Sequence, residues 1–284
     1  MKKITFFIAG MLTVPAMIFA QNGGTVNLSN GQKYSVENKI TTTSSSEMQG
    51  QSMETTADVT TIYNIEVNDS KNDKYSMTNK IAAVKLNMNS MGQNMSFDSE
   101  KKEDMDGQMG SSFKDIVNQP KAVTMDKGGN IILSTDADTS TKESTSPTDM
   151  MLKQLGDPKT IGYGAKMAFV AIPADAKVGS SWKDSTTSEG VTRVTNYLIK
   201  SIDNGVATIT VSGTETRDTK MEMQGMEINT KTNGTFVGEQ TANIKTGVIN
   251  QNNLTADAKG IISVMGQEIP TTIKATSATT VKAL

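Results

Sequence analysis

Residues 221–228 read MEMQGMEI, and three thioethers within six residues form a soft donor set that suits Cu(I). Little other metal or catalytic chemistry is open to this chain. It has no histidine and no cysteine, which excludes Ser-His-Asp and Cys-His nucleophiles and any His- or thiolate-ligated zinc site. Carboxylates could act in pairs on a glycosidic bond, yet they fall in runs such as EKKED that suit a solvated surface. The short acidic loops at Asp104, Asp106 and Gly107, and at Asp136 and Asp138, lack the twelve-residue spacing of a calcium loop. Gly162 and Gly164 begin a phosphate-cradling pattern without completing it. No catalytic residue, cofactor or metal ligand set is therefore assigned, and the chain is expected not to be an enzyme.

Segments related to MEMQGMEI recur as EMQGQSM, NSMGQNM and SVMGQEI. In all four, apolar residues alternate with polar ones, the period of a half-buried strand. A two-residue turn at Gln224 and Gly225 sets Met223 against Met226, Glu222 against Glu227 and Met221 against Ile228, so the methionines share one face. Read as Gly-Gln turns, the other copies pair Met88 with Phe97 and Ser90 with Met95, Val264 with Ile269 and Ile262 with Thr271, and Met48 with Met53. Methionine on an inward strand face most often packs or lines a cavity, because its flexible thioether fills irregular space.

The chain begins with Lys2 and Lys3, an apolar run and a small Ala20, the pattern of a secretory signal peptide over 1–20 cleaved after Ala20. Of the 19 methionines, Met1, Met11 and Met17 lie in this leader and 16 follow it. Losing Lys2 and Lys3 moves the net charge from −2 to −4. With Arg193 and Arg217 as the only arginines, no basic face for nucleic acid is present. No later segment has the roughly 20 apolar residues of a transmembrane helix.

Long strands are expected over 31–48, 53–67 and 73–88, a short helix over 113–118 ending before Pro120, and a hairpin around Gly128 and Gly129. Residues 136–160 form a polar linker or loop with room for a short helix. Two repeats flank it, 21–135 and 161–284, which can also join as one domain. Tyr63 stands 29 residues before Gly92 and Tyr197 stands 28 before Gly225, the register of an internal duplication. The last third should hold three or four strands, with turns near 250–253, 258–260 and Gly266.

Within IPADAKVGSSW, the residues Pro173, Val178, Gly179 and Trp182 form a P-x4-V-G-x-x-W pattern, for which GQKY at 31–34 is a weak counterpart. The pattern resembles exported, Met- and Thr-rich β proteins of Gram-negative bacteria grouped as a family of unknown function. That resemblance implies a cell-envelope β protein and brings no catalytic residues with it.

The fold expected is all-β, built of long antiparallel hairpins that form a curved sheet, a barrel or half barrel. The function expected is non-enzymatic binding of a hydrophobic small molecule or lipid chain in the periplasm or outside the cell. Met221, Met223, Met226, Ile228, Met88, Met95, Phe97 and Trp182 are the candidate lining residues. Two alternatives remain: a structural or interaction module whose partner is another envelope protein, and a Met-based Cu(I) binder.

Overall fold

The computed structural model describes residues 24–48, 51–90, 92–132, 162–188, 190–223 and 226–284, with the side chains at 48, 108, 112, 188 and 221–226 left out of that description. The leader and the 136–160 linker lie outside it. Fourteen strands and three short helices are described. The strands are β1 (Gly24–Thr25), β2 (Lys33–Met48), β3 (Gln51–Lys71), β4 (Lys74–Ser90), β5 (Gln93–Asp98), β6 (Pro120–Asp126), β7 (Ile131–Ile132) and β8 (Ile172–Pro173). They continue with β9 (Ser181–Ser188), β10 (Val191–Asp203), β11 (Val206–Met223), β12 (Met226–Asn243), β13 (Ile249–Val264) and β14 (Gln267–Ala283). The helices are α1 (Lys102–Asp106), α2 (Gln108–Phe113) and α3 (Tyr163–Ala168).

Twelve strands form one curved antiparallel sheet, ordered β7-β6-β4-β3-β2-β14-β13-β12-β11-β10-β9, with β5 added beside β4. It does not close into a barrel. The first and last long strands, β2 and β14, pair in its middle, from Tyr34 opposite Ala283 to Ser46 opposite Thr271. Each half runs through its strands in the same spatial order, β2-β3-β4-β5 on one side and β9-β10-β11-β12 on the other. Gly31 and Gly179 both have positive φ, and each stands three residues before an aromatic that begins its half, Tyr34 or Trp182.

The hairpins β2–β3, β4–β5, β11–β12 and β13–β14 all turn at one end, which forms a rim, whereas the Asn204–Gly205 turn between β10 and β11 lies at the other. Met223 pairs with Met226 and Met221 with Ile228, as the sequence indicated. The other three copies pair differently: Met88 with Met95 and Leu86 with Phe97, Ile262 with Ile269 and Val264 with Gln267, and Ser46 with Met53. Each turn therefore places Gly second, not first. At the rim tip of β13–β14, Met265 and Gly266 have φ of 52° and 79°, the two left-handed residues of a type I′ turn, whose twist matches that of the strands. A fifth tip ends at Gly190, between Ser188 and Val191, and carries no methionine.

Two further expectations are corrected. Residues 250–253 and 258–260 lie inside β13, where β12 and β14 supply hydrogen bonds on both sides and override the local turn preference. Gly238 and Gly260 belong to this stretch of sheet because a Cβ on either would come within 1.9 Å of a carbonyl oxygen on the neighbouring strand. The helical segment falls at 102–113 instead of 113–118. Glu103 and Asp104 favour the start of α1, while Val117 is drawn into a bridge with Ile81 and Asn118 adopts φ 63°.

The main core fills the base, opposite the rim. Val26 and Leu28 enter it along the first described segment, and the Tyr75 hydroxyl donates to the Val26 carbonyl at 2.7 Å. Helix α3 closes it; Gly164 is needed there because a Cβ would sit 2.9 Å from Tyr63, so this glycine serves close packing. Phe169 follows α3 and meets Tyr34 edge-on at 5.4 Å. A second, smaller core forms where α1 and α2 cover β4 and β5.

Candidate functional site

Strand alternation assigns one set of residues to the inner face. A row crosses ten strands from Trp182 through Tyr197, Val211, Leu254 and Ile40 to Phe97. The eight residues singled out from the sequence fall in three places along this face. Positions 221, 223 and 226 share the rim end of β11 and β12 with Ile228. Met88, Met95 and Phe97 lie across the sheet under α2, with Phe97 stacked on Phe113 at 4.3 Å between ring centres. Trp182, on the edge strand β9, stacks on Tyr197 at 5.0 Å. The strands β4 and β11 stand six places apart in the sheet order, so the register does not gather these residues into one patch.

The central strands present something different. On β13 the inner residues Leu254, Ala256, Ala258 and Ile262 are half-buried, as are Ile273 and Ala275 on β14. Their outer neighbours Asp257, Lys259 and Lys274 are exposed. Both strands are thus amphipathic, and their apolar face keeps partial access to solvent among the described residues. Nearer the base the face turns polar: buried Asn38 accepts hydroxyl hydrogen bonds from Ser277 and Thr279, both at 3.1 Å.

A charged group that the sequence reading missed lies two rows rimward of Trp182. Arg193 on β10 pairs directly with Glu215 on β11, and Arg217 occupies the next inner position. Their side chains are 12%, 24% and 11% exposed. Glu215 accepts a hydrogen bond from Arg217 at 3.0 Å, while Arg193 reaches it at 3.6 Å. The Arg193 guanidinium lies 3.9 Å above the Phe236 ring, and its Nε is buried with no hydrogen-bond partner among the described residues. Burial lowers the pKa of Arg193, against the opposing influence of Glu215 and Tyr197. Farther toward the base, burial pushes the Lys166 ammonium down to about 7 although Asp184 lies near enough to favour its charge. The signal was present in the sequence: both arginines fall at the same alternation as Tyr197 and Val211, the apolar positions of β10 and β11.

Among the described residues no group of three or more acidic, His or Cys side chains could hold a metal ion, and no helix is long and apolar enough to cross a membrane. Asp104 instead accepts the Asp98 backbone N–H at 2.8 Å, tying α1 to the end of β5.

A family model described as a family of unknown function, DUF6263, matches residues 72–249, well over half of the chain. The chain belongs to the DUF6263 family. The matched span of this DUF6263 protein includes all of β4 and all of β9 to β12, hence both arginines. No curated protein matches the chain. Among solved structures it is similar to lipovitellin, in a structure concerned with lipid–protein interactions, at 11% identity and a TM-score of 0.45. That match covers 90% of this chain and 25% of the other, so the chain spans about a quarter of lipovitellin's length. An outer membrane channel from Pseudomonas putida F1 follows at 9% identity and a TM-score of 0.27, covering 93% and 100% of the two chains. OccK5 from Pseudomonas aeruginosa gives 5% and 0.25, with 90% and 99% covered. None of these structural likenesses bears on function.

Proposed function

We propose that this DUF6263 protein is a non-enzymatic binding protein, exported by the leader at 1–20 to the periplasm or beyond, that holds a hydrophobic small molecule or lipid chain against the inner face of its sheet. The observation that carries this reading is the half-buried apolar face of β13 and β14 at the centre of the open sheet. Apolar side chains that stay partly wet on a concave surface are stabilised by any ligand that removes them from water, by about 25 cal/mol per Å2 of apolar area covered. Rim positions rich in methionine give an entry that adapts to differently shaped chains. Trp182, the only tryptophan, shares its inner row with Leu254 and so reports on occupancy. Titration with ω-bromododecanol, whose bromine quenches indole on contact, should quench Trp182 saturably. Fluorescence unchanged through the alcohol's solubility range would refute the reading.

A further inference from the structure

The open sheet ends in two edge strands, β7 and β9, and one short helix reaches both. Gly162, which caps α3, lies so close to β7 that a Cβ on it would stand 2.8 Å from the side chain of Ile131. One turn further along, the Lys166 ammonium interacts electrostatically with Asp184 on β9. Helix α3 thus crosses, at the base, the seam that strand pairing leaves open. We infer that α3 is a proton-responsive clasp on this seam: it holds the two edges together at the base and releases β9 when Lys166 takes up a proton.

The two contacts differ in kind. Gly162 meets Ile131 through apolar packing, which does not titrate. The other contact sets an amine in a largely desolvated place, and desolvation outweighs the attraction of Asp184, so the closed clasp favours neutral Lys166. Opening returns Lys166 to water and toward its ordinary pKa of 10.5; it therefore takes up a proton, and acid favours it. The surrounding groups do not share this response. Burial raises the phenols of Tyr34 on β2, Tyr63 on β3 and Tyr197 on β10, and Tyr163 on α3 is a fourth phenol. The inner positions of β13 from Asn252 to Ile262 and the two isoleucines of β7 carry no titratable group, while Arg193 and Glu215 lie farther toward the rim. The bend that opening needs has a place in the adjoining strands. Gly213 on β11 and Gly234 and Gly238 on β12 stand at inner positions, where a strand without a Cβ yields, whereas β2, β3 and β4 contain no glycine. Opening carries β9 away from α3 and bares the base end of the inner face beside Trp182.

The chain has no cysteine, so Ala165→Cys provides a single thiol at a fully buried position next to Lys166. Its alkylation by iodoacetamide in the full chain is divided by that of the urea-unfolded chain at the same pH, which removes the ionisation of the thiol itself. The normalised rate should stay level from pH 6 to 7, then fall about tenfold per pH unit up to 9. Adding Lys166→Met should make it level throughout. Adding Asp184→Asn should raise it about tenfold at pH 6, the worth of one charge-assisted contact. Urea too dilute to unfold the protein should leave these rates unchanged, since a local opening exposes little surface. Acrylamide quenching of Trp182, which needs no substitution, should follow the same pH profile and serves if Ala165→Cys does not fold. A pH-independent rate, a slope that survives Lys166→Met, or a rate that climbs with dilute urea as global unfolding does, overturns the clasp.

Discussion

The Arg193–Glu215–Arg217 group makes an asymmetric prediction about stability. Replacing Glu215 by Gln removes the carboxylate that Arg193 faces and that accepts the Arg217 hydrogen bond. Breaking a buried pair in this way costs about 3–5 kcal/mol. Here Glu215 is 24% exposed and the arginines 12% and 11%, and that residual hydration reduces the cost to about 2–4 kcal/mol. For a chain of this size each kcal/mol moves Tm by about 2–4 °C, so Glu215→Gln should melt roughly 5–15 °C below the native protein. Arg193→Met should behave oppositely. It removes the less well paired cation, leaves the 3.0 Å Arg217–Glu215 bond intact, and keeps a flexible side chain over Phe236. Its stability should lie within about 1 kcal/mol of native, or above it. Thermal unfolding followed by far-ultraviolet circular dichroism on delipidated protein measures both. A Glu215→Gln variant as stable as native, or an Arg193→Met variant that melts lower than Glu215→Gln, would refute the claim that Glu215 matters more to this group than Arg193 does.

Further outcomes follow from the packing and the titrations. Because folding holds Lys166 near 7 and its ordinary pKa is 10.5, the unfolded chain carries an extra proton between those values and stability should rise from pH 7 to 9; urea titrations of Lys166→Gln should lose that slope. Above pH 10 the sign reverses, since burial keeps Tyr63 and Tyr197 neutral in the fold while unfolded tyrosines ionise. Phe113→Ala, at a fully buried ring stacked on Phe97, should cost about 3–5 kcal/mol in chemical denaturation. At the rim, Gly266→Ala should cost about 1–2 kcal/mol through its φ of 79°, whereas Met265→Asn should be neutral or stabilising by a few tenths, both read from denaturation midpoints. Replacing Met221, Met223 and Met226 together by Leu should leave Tm close to native, since each swap nearly conserves volume; loss of a tight Cu(I) affinity in this variant would shift the account toward copper.

Much of the fold was legible because alternation and turn chemistry agree. Period-two patterning identified the long hairpins, and MEMQGMEI paired as written, Met223 with Met226 and Met221 with Ile228. The other three tips were misplaced by one residue: a type I′ turn wants its Gly second, so Met-Gly or Gln-Gly makes the turn and the following Gln opens the next strand. Moving a turn by one residue shifts each partner by two, which preserves the face. Met88, Met95 and Phe97 therefore stayed on the inner side although their partners changed. What local sequence could not supply was tertiary: β13 runs straight through Asn-rich and Gly-bearing stretches because strands on both sides hold it, and the charged run before Met105, read only as solvated surface, leads into helix α1. The charged part of the candidate site was visible as parity, two arginines at apolar positions of β10 and β11, but charge on an alternating strand ordinarily marks the wet face. Its burial depends on the curl of a sheet whose neighbours come from distant parts of the chain.

Native mass spectrometry of the protein, purified without detergent from cells that express it, addresses the central claim most directly. The account predicts a population heavier than the bare chain by the mass of a lipid or other hydrophobic small molecule, released by organic extraction. A bare chain alone, neither carrying a lipid from the cell nor taking up added fatty acid, would contradict it.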